Sequence, residues 1–543
     1  MSESPTPAPT PDVEAVLQAP PAPAPKIPWL GLSAVLFGAF ISTLNGRLSS
    51  FGLADIRGAV HASFDEGAWI TTAQAVAQML AAPAAIWLGG VYGARRVLME
   101  AAAAFAVVCL VQPFAPNIQT LLAMQFLGGL ASGCFIPLTL GFVLRNMPPK
   151  VWAYGIALYA LNLEVSLNVS ASLEDWYIQH LSWRWIFWQN VPLALGMWYC
   201  LKIGTRPDPP NAAHPPPDWF GLLAGGIGLG LAYAALDQGN RLDWQNSGLI
   251  WGLFSAAAVL LVGFFIHERR TTNPGLNLKV AFTAPLPRLL ILVGFLRLTI
   301  LSTAFLIPQY LITVRGYRAL EVGQTLSWMA MPQLLICLVA GYSMRRMDPR
   351  FIASCGFILI CVGCLTVAHG LTPSWGTGQF LGSQMIQAVG QSFALSGTVF
   401  FAVLHLRPQD ALTFGAALQT ARIMGGEVGL AFITTFLRVR GQIASNLLGL
   451  HVQIGDAQVA QRIQLYGAAT AQAGGPAGAT ARGTAILNNV VHATSITQGI
   501  MDSFVVLAGA TAITVMLIVT RRAAPPGPAT HVPWFAPRAP RLP

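Results

Sequence analysis

The sequence predicts an all-α polytopic membrane protein with 14 transmembrane helices. Apolar runs of about 20 residues, the length that crosses a bilayer core of about 30 Å, recur along the whole chain. Of the 543 residues, 54% are hydrophobic and only 10% are charged, whereas soluble domains carry roughly 25% charged residues. The Lys and Arg residues fall mainly on alternate connectors, as the positive-inside rule requires. These observations exclude a disordered chain and a soluble multidomain enzyme.

The chain divides into two six-helix bundles that flank one extra pair of helices. We expect an N-terminal bundle at 28–203, a linker with helices 7 and 8 at 204–284, and a C-terminal bundle at 285–522. The Pro- and Ala-rich residues 1–27 are predicted to be a disordered cytoplasmic tail, and 523–543 a second cytoplasmic tail. The predicted spans are 28–54, 66–92, 97–115, 118–144, 151–173, 183–203, 218–237, 246–267, 285–312, 321–343, 350–369, 378–404, 409–437 and 500–520.

Basic residues at the helix ends predict that both termini are cytoplasmic. The net charge of +10 is therefore explained by topology and not by a nucleic-acid-binding surface. Arg438 and Arg440 are exceptions, because they precede a connector that we place outside. The basic residues placed inside are Arg95, Arg96, Arg145, Lys150, Lys202, Arg206, Arg269, Arg270, Arg345, Arg346, Arg350, Arg407, Arg521 and Arg522.

The long connector 441–499 is polar and rich in Ala, Gln and Gly. It has no core-forming pattern, so we predict an external flap with helical flanks and a flexible middle. Repetition of a six-helix unit is typical of secondary transporters with alternating access. Glycines four residues apart indicate close helix contacts, which serve either ordinary packing or gating. These pairs are Gly129/Gly133, Gly221/Gly225, Gly226/Gly230 and Gly425/Gly429.

Metal, redox and cofactor chemistry is not predicted. All seven cysteines lie within apolar runs, where they are expected to be small buried hydrophobic residues. The nine histidines lack a metal-ligand spacing, and no cluster of catalytic residue types is visible. We therefore predict no metal, no cofactor and no enzymatic activity.

Five segments together resemble the EmrB/QacA-type 14-helix drug:proton antiporters of the major facilitator superfamily. LSWRWIFWQNVPLAL (181–195) is similar to that family's W-R-W-I-F-x-x-N-x-P signature, and LQTARIMGGEVGLAF (418–432) to its Q-x-x-R-x-x-G-G-x-x-G-x-A pattern. IPQYLITVRGYRALEVG (307–323) resembles P-x-Y-L-x-x-V-x-G-Y-S-x-x-x-A/V-G. LDQGNRLDWQNSG (236–248) and QGIMDSF (498–504) resemble the family's approaches to helices 8 and 14. The resemblance covers about residues 28–522.

This resemblance implies the major facilitator fold and multidrug efflux, in which hydrophobic or amphipathic toxic compounds are exchanged for protons. It places the protein in the bacterial inner membrane. Gram-negative family members with such an external loop work with a periplasmic adaptor and an outer-membrane channel, so these are expected partners. The expected central cavity is formed mainly by helices 1, 4, 9 and 12.

Three charged positions of the family are neutral in this chain. Asn45 stands where helix 1 usually carries an acid, Gln125 where helix 4 usually carries Arg, and Gly90 where the loop after helix 2 carries an acid. We predict that Asn45 and Gln125 hydrogen-bond to each other, either lining the cavity or serving only packing. The loop keeps Gly93, Arg95 and Arg96, which are the candidate gating residues.

Five ionisable residues are predicted within spans: Arg47, Glu164, Arg297, Arg422 and Glu427. Such residues are retained in a bilayer by pairing or by function. Our hypothesis is that Arg47–Glu164 and Arg297–Glu427 form equivalent pairs in the two bundles, with Arg422 as an alternative partner. The glutamates then either take up and release protons or form permanent salt bridges.

Other acidic residues are predicted to be peripheral. Asp237 and Asp243 are expected to be solvated at the outer rim of helix 7, and Glu100 to contact Arg95 or Arg96. Three functional alternatives remain open from the sequence. These are a non-coupled scaffold of an export complex, a metabolite transporter and a weak-acid transporter, the last because Arg attracts carboxylates.

Overall fold

The computed structural model describes residues 28–146, 152–205, 218–271, 286–405, 411–453, 455–474 and 478–520. Within these ranges the chain forms helices and no strand. Both predicted tails, 1–27 and 523–543, lie outside the described residues. The predicted last span, 500–520, ends at the last described residue, Thr520. Five of the predicted inside basic residues also lie outside: Lys150, Arg206, Arg407, Arg521 and Arg522.

The helices of the first bundle follow the predicted spans closely. They are α1 (Pro28–Phe51), α2 (Trp69–Tyr92), α3 (Ala94–Val111), α4 (Ile118–Gly133, continued as Phe135–Asn146), α5 (Trp152–His180) and α6 (Asn190–Gly204). Polar residues begin some of these helices. The Asn117 side chain accepts a hydrogen bond from the backbone N–H of Thr120 at 2.9 Å and so caps α4. Gly93, at a φ of 85°, allows the sharp turn between α2 and α3.

The extra pair and the second bundle complete fourteen helices at the predicted positions. They are α7 (Trp219–Gly239), α8 (Gly248–Arg270), α9 (Leu286–Leu301, continued through Ser302–Leu306 to Ile307–Thr313), α10 (Ala319–Arg346), α11 (Pro349–Gly370), α12 (Leu381–Leu404), α13 (Ala411–Gly449) and α14 (Ala479–Val519). Twelve of these are long and apolar enough to cross a membrane by length and composition. The other two are α6, which has 15 residues, and α13, which carries Arg422 and Glu427.

The segment 441–499, predicted to be an external flap with helical flanks and a flexible middle, is more extensively helical than predicted. Most of residues 441–499 are helical, because α13 and α14 extend to 39 and 41 residues and a further helix, Ala457–Gly474, packs along α14. The reason is local: Ala and Gln favour helix, and the turns fall at glycines. Gly455 and Gly478 have φ values of 105° and 82°, which favour glycine. We name residues 441–499, the segment that the sequence predicts to be external, the external hairpin.

The two bundles repeat one packing scheme. In the first bundle, α1 packs on α5 and α6, α2 on α4, and α3 on α6. In the second, α9 packs on α13 and α14, α10 on α12, and α11 on α14. The contacts between bundles repeat as well, since α5 meets α10 and α12 while α13 meets α2 and α4. The structure therefore has the twofold organisation that the sequence predicts.

The glycine pairs mark close helix contacts, as predicted. A Cβ at Gly129 would lie 2.4 Å from the backbone oxygen of Gln74, so α4 packs directly on α2. A Cβ at Gly425 would lie 2.7 Å from Cα of Gly294, where α13 crosses α9. In α7, Gly226 and Gly230 face α2, whereas Gly225 and Gly228 face α8. Small residues at these positions allow the approach.

Several spanning helices are irregular near the bundle interface. Pro83 lies within α2 and Pro332 within α10, the equivalent helix of the second bundle. A proline inside a helix removes one backbone hydrogen bond and favours a bend. In α9 the residues Ser302–Leu306 form a π-helical turn just before Pro308. Such turns leave carbonyl groups available to side chains and are frequent at functional sites.

Candidate functional site

The buried polar residues concentrate where the two bundles meet. We name the contacts of α5 with α10 and α12, of α13 with α2 and α4, and of α1 with α9 the interbundle interface. Asn168 of α5 donates a hydrogen bond to Gln333 of α10 at 3.1 Å, and both are buried. Because lipid offers no hydrogen-bond partners, each polar group here bonds to another group of the protein, in several cases one of the opposite bundle, or lacks a partner among the described residues.

Arg47 of α1 reaches the π-helical turn of α9. Its Nη2 donates to the carbonyl oxygen of Ala304 at 3.0 Å, and its guanidinium lies 5.1 Å from the centre of the Phe51 ring. The buried Nε has no hydrogen-bond partner among the described residues. The π-helical turn is also tied to α12, since Ser302 donates to Gln387 at 2.6 Å and Gln391 donates to Thr303 at 2.9 Å.

Arg422 of α13 makes the reverse crossing. Its Nη1 donates to the Thr43 hydroxyl of α1 at 3.0 Å, and its Nη2 donates to Gln419 at 3.0 Å. The side chain is 7% exposed, and within the described part of the chain its Nε is buried without a partner. Arg422 therefore connects the bundles without an acidic partner.

Arg297 of α9 lies beside Gly426, whose Cβ position would be 3.6 Å from Nε of the arginine. Arg297 interacts electrostatically with Arg422, Arg47 and Tyr159. Its Nε and the Tyr159 hydroxyl are both buried and lack hydrogen-bond partners in the described residues. Arg297 and Arg422 each lie about 17 Å along their helices, which is near the middle of the bilayer.

Glu164 of α5 faces α12 instead of α1. The Ser392 hydroxyl donates to its Oε2 at 2.8 Å, while the other carboxylate oxygen is buried without a partner in the described chain. The residue is 1% exposed. Cys337 of α10 also interacts electrostatically with Glu164.

Glu427 of α13 faces the extra helix α7. The Tyr233 hydroxyl of α7 is its hydrogen-bond partner, and Asp237, one turn further along α7, interacts with it electrostatically. Glu427 is 6% exposed. Asp237 in turn accepts a hydrogen bond from Thr72 of α2 and is only partly exposed. The prediction that Asp237 is solvated is therefore wrong, although Asp243 is exposed as expected.

The hypothesis of two equivalent Arg–Glu pairs is wrong. Among the described residues, neither Arg47–Glu164 nor Arg297–Glu427 forms an ion pair, and Arg422 has no carboxylate partner. The reason is the direction of the side chains, since Glu164 points to α12 and Glu427 to α7. Ion pairs in the described part of the chain include Arg96–Glu100, Arg241–Asp65, His267–Asp218, Arg350–Asp348, Arg438–Asp243 and Arg440–Asp502.

The two amides at usually charged positions also have other partners than predicted. Asn45 accepts a hydrogen bond from Asn190 of α6 at 2.8 Å, and Gln125 donates to Ser49 of α1 at 3.3 Å. They do not bond to each other, because Asn45 faces α6 and Gln125 meets α1 one turn further along. Both amides are 1% exposed, so each stabilises contacts within the first bundle.

The loop between α2 and α3 uses its arginines differently. Arg95 donates to Thr205 at 2.9 Å and to the carbonyl oxygens of Leu201 and Lys202 at 3.3 and 3.2 Å. It thereby caps the end of α6, where carbonyl groups lack helical partners. Arg96 is exposed and pairs with Glu100 at 2.8 Å.

A largely apolar cavity of about 820 Å³ lies between the extra pair and helices α9 and α13. Phe264, Leu290, Leu298 and Met424 are among its lining residues. The Gly294–Gly425 contact borders it. The sequence did not indicate this cavity, because its walls come from helices far apart in the chain. Within the described residues, no group of three or more His, Cys, Asp or Glu could hold a metal ion.

Comparisons with known proteins agree with this architecture. A family model described as the Major Facilitator Superfamily matches residues 35–430. The chain is 25% identical over 408 residues to the multidrug export protein EmrB of Haemophilus influenzae, covering 74% of this chain and 79% of that protein. It is 24% identical over 523 residues to the fatty acid resistance protein FarB of Neisseria gonorrhoeae, covering 93% and 98%.

A solved structure of the proton:xylose symporter XylE has a similar fold. The TM-score is 0.54 at 9% identity, and the match covers 90% of this chain and 94% of that one. At this identity the likeness shows the fold alone.

Replacing Arg95 should destabilise the protein, whereas replacing its neighbour should not. Arg95→Ala removes three hydrogen bonds to the end of α6, and we expect the free energy of unfolding to fall by about 1–3 kcal/mol. Arg96→Ala removes only an exposed pair and should change stability little. Thermal unfolding of both purified variants in the same detergent checks this. Equal melting temperatures would contradict the capping role of Arg95.

Proposed function

This chain belongs to the Major Facilitator Superfamily, and from that premise we propose that it is a secondary transporter that exports hydrophobic or amphipathic compounds. The observation that carries the proposal is the interbundle interface, whose buried polar contacts join two equivalent bundles across the match at residues 35–430. The relatives' names, a multidrug export protein and a fatty acid resistance protein, support export as the direction.

Alternating access would arise by rocking of the two bundles around this interface. The polar contacts that would break include Arg422–Thr43 and Glu164–Ser392. The equivalent prolines Pro83 and Pro332 lie in α2 and α10, so the helices that slide past the opposite bundle are also the ones that can bend. This combination supports a two-state device over a static scaffold.

Export would be driven by proton antiport, with Glu164 and Glu427 as the residues that take up and release protons. A buried carboxyl group without an ion-pair partner is a functional candidate in a bilayer. Glu427 has a further advantage, because Tyr233, Asp237 and Thr72 extend from it toward the α7–α8 connector. At that end Arg241 pairs with the exposed Asp65. This row of groups supports a proton route from the predicted external face to Glu427.

The protein is a multi-pass membrane protein, and we place it in a bacterial inner membrane with both termini in the cytoplasm. The external hairpin would then be periplasmic. Its helices project beyond the bilayer, because α13 and α14 are each about 60 Å long and the core is about 30 Å thick. Exposed apolar residues such as Leu450 and Leu465 lie on it. These support contact with a periplasmic adaptor that leads to an outer-membrane channel.

Reconstituted protein should export without any other protein present. In proteoliposomes with an imposed proton gradient, we expect a hydrophobic fluorescent compound to accumulate against its gradient. Collapse of the proton gradient with an ionophore should stop this transport. Gradient-independent equilibration, or no transport across chemically diverse compounds, would favour the scaffold alternative. Movement only of a polar metabolite would favour the metabolite alternative.

Neutralising the buried glutamates should uncouple transport from protons. We expect Glu427→Gln or Glu164→Gln to lower the rate of proton-driven export about tenfold or more. A tenfold loss of rate corresponds to an activation free energy that is higher by about 1.4 kcal/mol. Substrate counterflow without a proton gradient should persist, because it needs no net proton movement. The exposed Glu100→Gln is the matched control. Full proton-driven export by both variants would show that neither residue carries the proton.

The external hairpin should be reachable from outside the cell. We expect Leu465→Cys to react with a membrane-impermeant maleimide in intact cells, because Leu465 is 61% exposed. Met347→Cys, in the α10–α11 connector, should react only after permeabilisation, and the wild-type chain gives the background of its native cysteines. The same Leu465→Cys, carrying a photocrosslinker, should capture the adaptor. Labelling of Leu465→Cys only after permeabilisation would invert the topology.

A further inference from the structure

We propose that Arg297, Arg422 and Arg47 form a binding site for the acidic head group of an amphipathic organic anion. The site lies between the bundles at the interface described above. This inference rests on the proposed export function and narrows its substrate class. Nothing in the contacts of these residues within the described protein supplies the anion that they lack.

Each of the three arginines carries a hydrogen-bond donor without a partner in the described part of the chain. The Nε of each of the three is buried and without a hydrogen-bond partner among the described residues. The Tyr159 hydroxyl, which interacts electrostatically with Arg422 and Arg297, is likewise buried and without a partner there. Four donors from α1, α5, α9 and α13 thus remain free around one region. Buried donors of this kind normally have a partner.

The positive charges of the three arginines are also not neutralised by the described residues. A guanidinium stays protonated inside proteins, so the three residues bring like charges close together in a low-dielectric interior. Within the described residues none of them pairs with a carboxylate, because Glu164 bonds to Ser392 and Glu427 faces Tyr233 and Asp237. Isolated buried charges are strongly unfavourable unless an opposite charge compensates them. A bound anion would supply that compensation.

The arginines differ in exposure, and they lie between the two bundles. Arg297 and Arg47 keep part of their surface accessible although they lie within spanning helices, whereas Arg422 is 7% exposed. Arg47 and Arg422 also bind Ala304 and Thr43 across this interface. An anion bound here would contact both bundles, and its binding would change as they rock.

The chemistry of the guanidinium groups and their surroundings indicates which class of ligand would bind. A planar guanidinium binds carboxylates through two parallel hydrogen bonds, which an ammonium group cannot do. Apart from Glu164 and Glu427, which face α12 and α7, the buried side chains around the interface are apolar or uncharged polar, such as Leu296 and Gln391. The ligand that fits is a single carboxylate on an apolar body. A phosphate of an anionic lipid shares the head-group chemistry, so the test separates the two sources.

Binding is tested with purified full-length protein in nanodiscs of zwitterionic lipid, using pyrenebutyrate and its neutral amide as probes. We expect the carboxylate to bind at least about tenfold more tightly than the amide. Arg297→Gln should remove this preference and leave amide binding unchanged. Arg297→Lys should restore it only in part, because the bidentate geometry is lost. Arg288→Gln, an exposed position on the same helix, is the matched control.

A second measurement distinguishes binding from a purely structural role. Without ligand, Arg297→Gln should melt at the same or a higher temperature than the wild type, because it relieves repulsion among buried like charges. With pyrenebutyrate, only the wild type and Arg288→Gln should gain thermal stability, since a ligand stabilises the state that it binds. A lower melting temperature of ligand-free Arg297→Gln, with equal affinities for the two probes, would overturn the proposal.

Competition and transport experiments distinguish the source of the anion and separate the binding site from the export function. Displacement of pyrenebutyrate by a small mole fraction of phosphatidylglycerol, with no displacement by free decanoate, would assign the site to lipid and overturn the organic acid. Displacement by decanoate supports it. Carboxylate binding without transport in proteoliposomes would uphold the site and contradict export. Export without any preference for carboxylates would uphold export and contradict the site.

Discussion

The central constraint on this protein is that lipid cannot satisfy a buried polar group, so polar side chains inside it must find partners within the protein, and several find them in the opposite bundle. Arg47 meets a carbonyl of α9, Arg422 meets Thr43, and Glu164 meets Ser392. None of these contacts lies within one bundle. The bundles are therefore held together in this state by a small set of directional bonds, in addition to close packing of helices such as α5 on α10. A hydrogen bond is either formed or broken, depending on its geometry. Such bonds between the bundles therefore favour switching between two distinct states over gradual sliding.

The fold could be predicted well because hydropathy and helix length depend only on local sequence. Apolar runs fixed the number, order and approximate ends of the spanning helices, and small residues such as Gly129 and Gly425 indicated close contacts. The external hairpin was underestimated, because a polar sequence rich in Ala and Gln gives no hydrophobic pattern although it favours helix. The site residues were found as isolated buried charges. Their partners were not, because the direction of Glu164 toward α12 depends on how the two bundles dock.

The extra pair α7 and α8 contributes more than a connection between bundles. Tyr233 and Asp237 of α7 face Glu427, and Thr72 of α2 bonds to Asp237. In sequence, Asp237 looks like a solvated acid at the end of a span, because nothing local shows that α2 and α13 cover it. The same pair closes one side of the apolar cavity beside α9 and α13. Helix α7 thus links the second bundle to the first through polar groups near one face and through glycine contacts deeper in the membrane.

The buried arginines and glutamates are kept apart, which leaves both groups available for binding. In the resembled family the position of Asn45 usually carries an acid, two residues from Arg47; here the amide is satisfied by Asn190 and brings no charge. The described interior therefore holds arginines in its middle and carboxyl groups beside α12 and α7, with no ion pair between the two sets. A permanent buried salt bridge would neutralise both partners and leave neither free, since breaking such a pair is strongly unfavourable. Kept apart, the arginines can accept an anion and the glutamates can accept protons. Both events act on the same interface between bundles, so each can bias the equilibrium that the other also shifts.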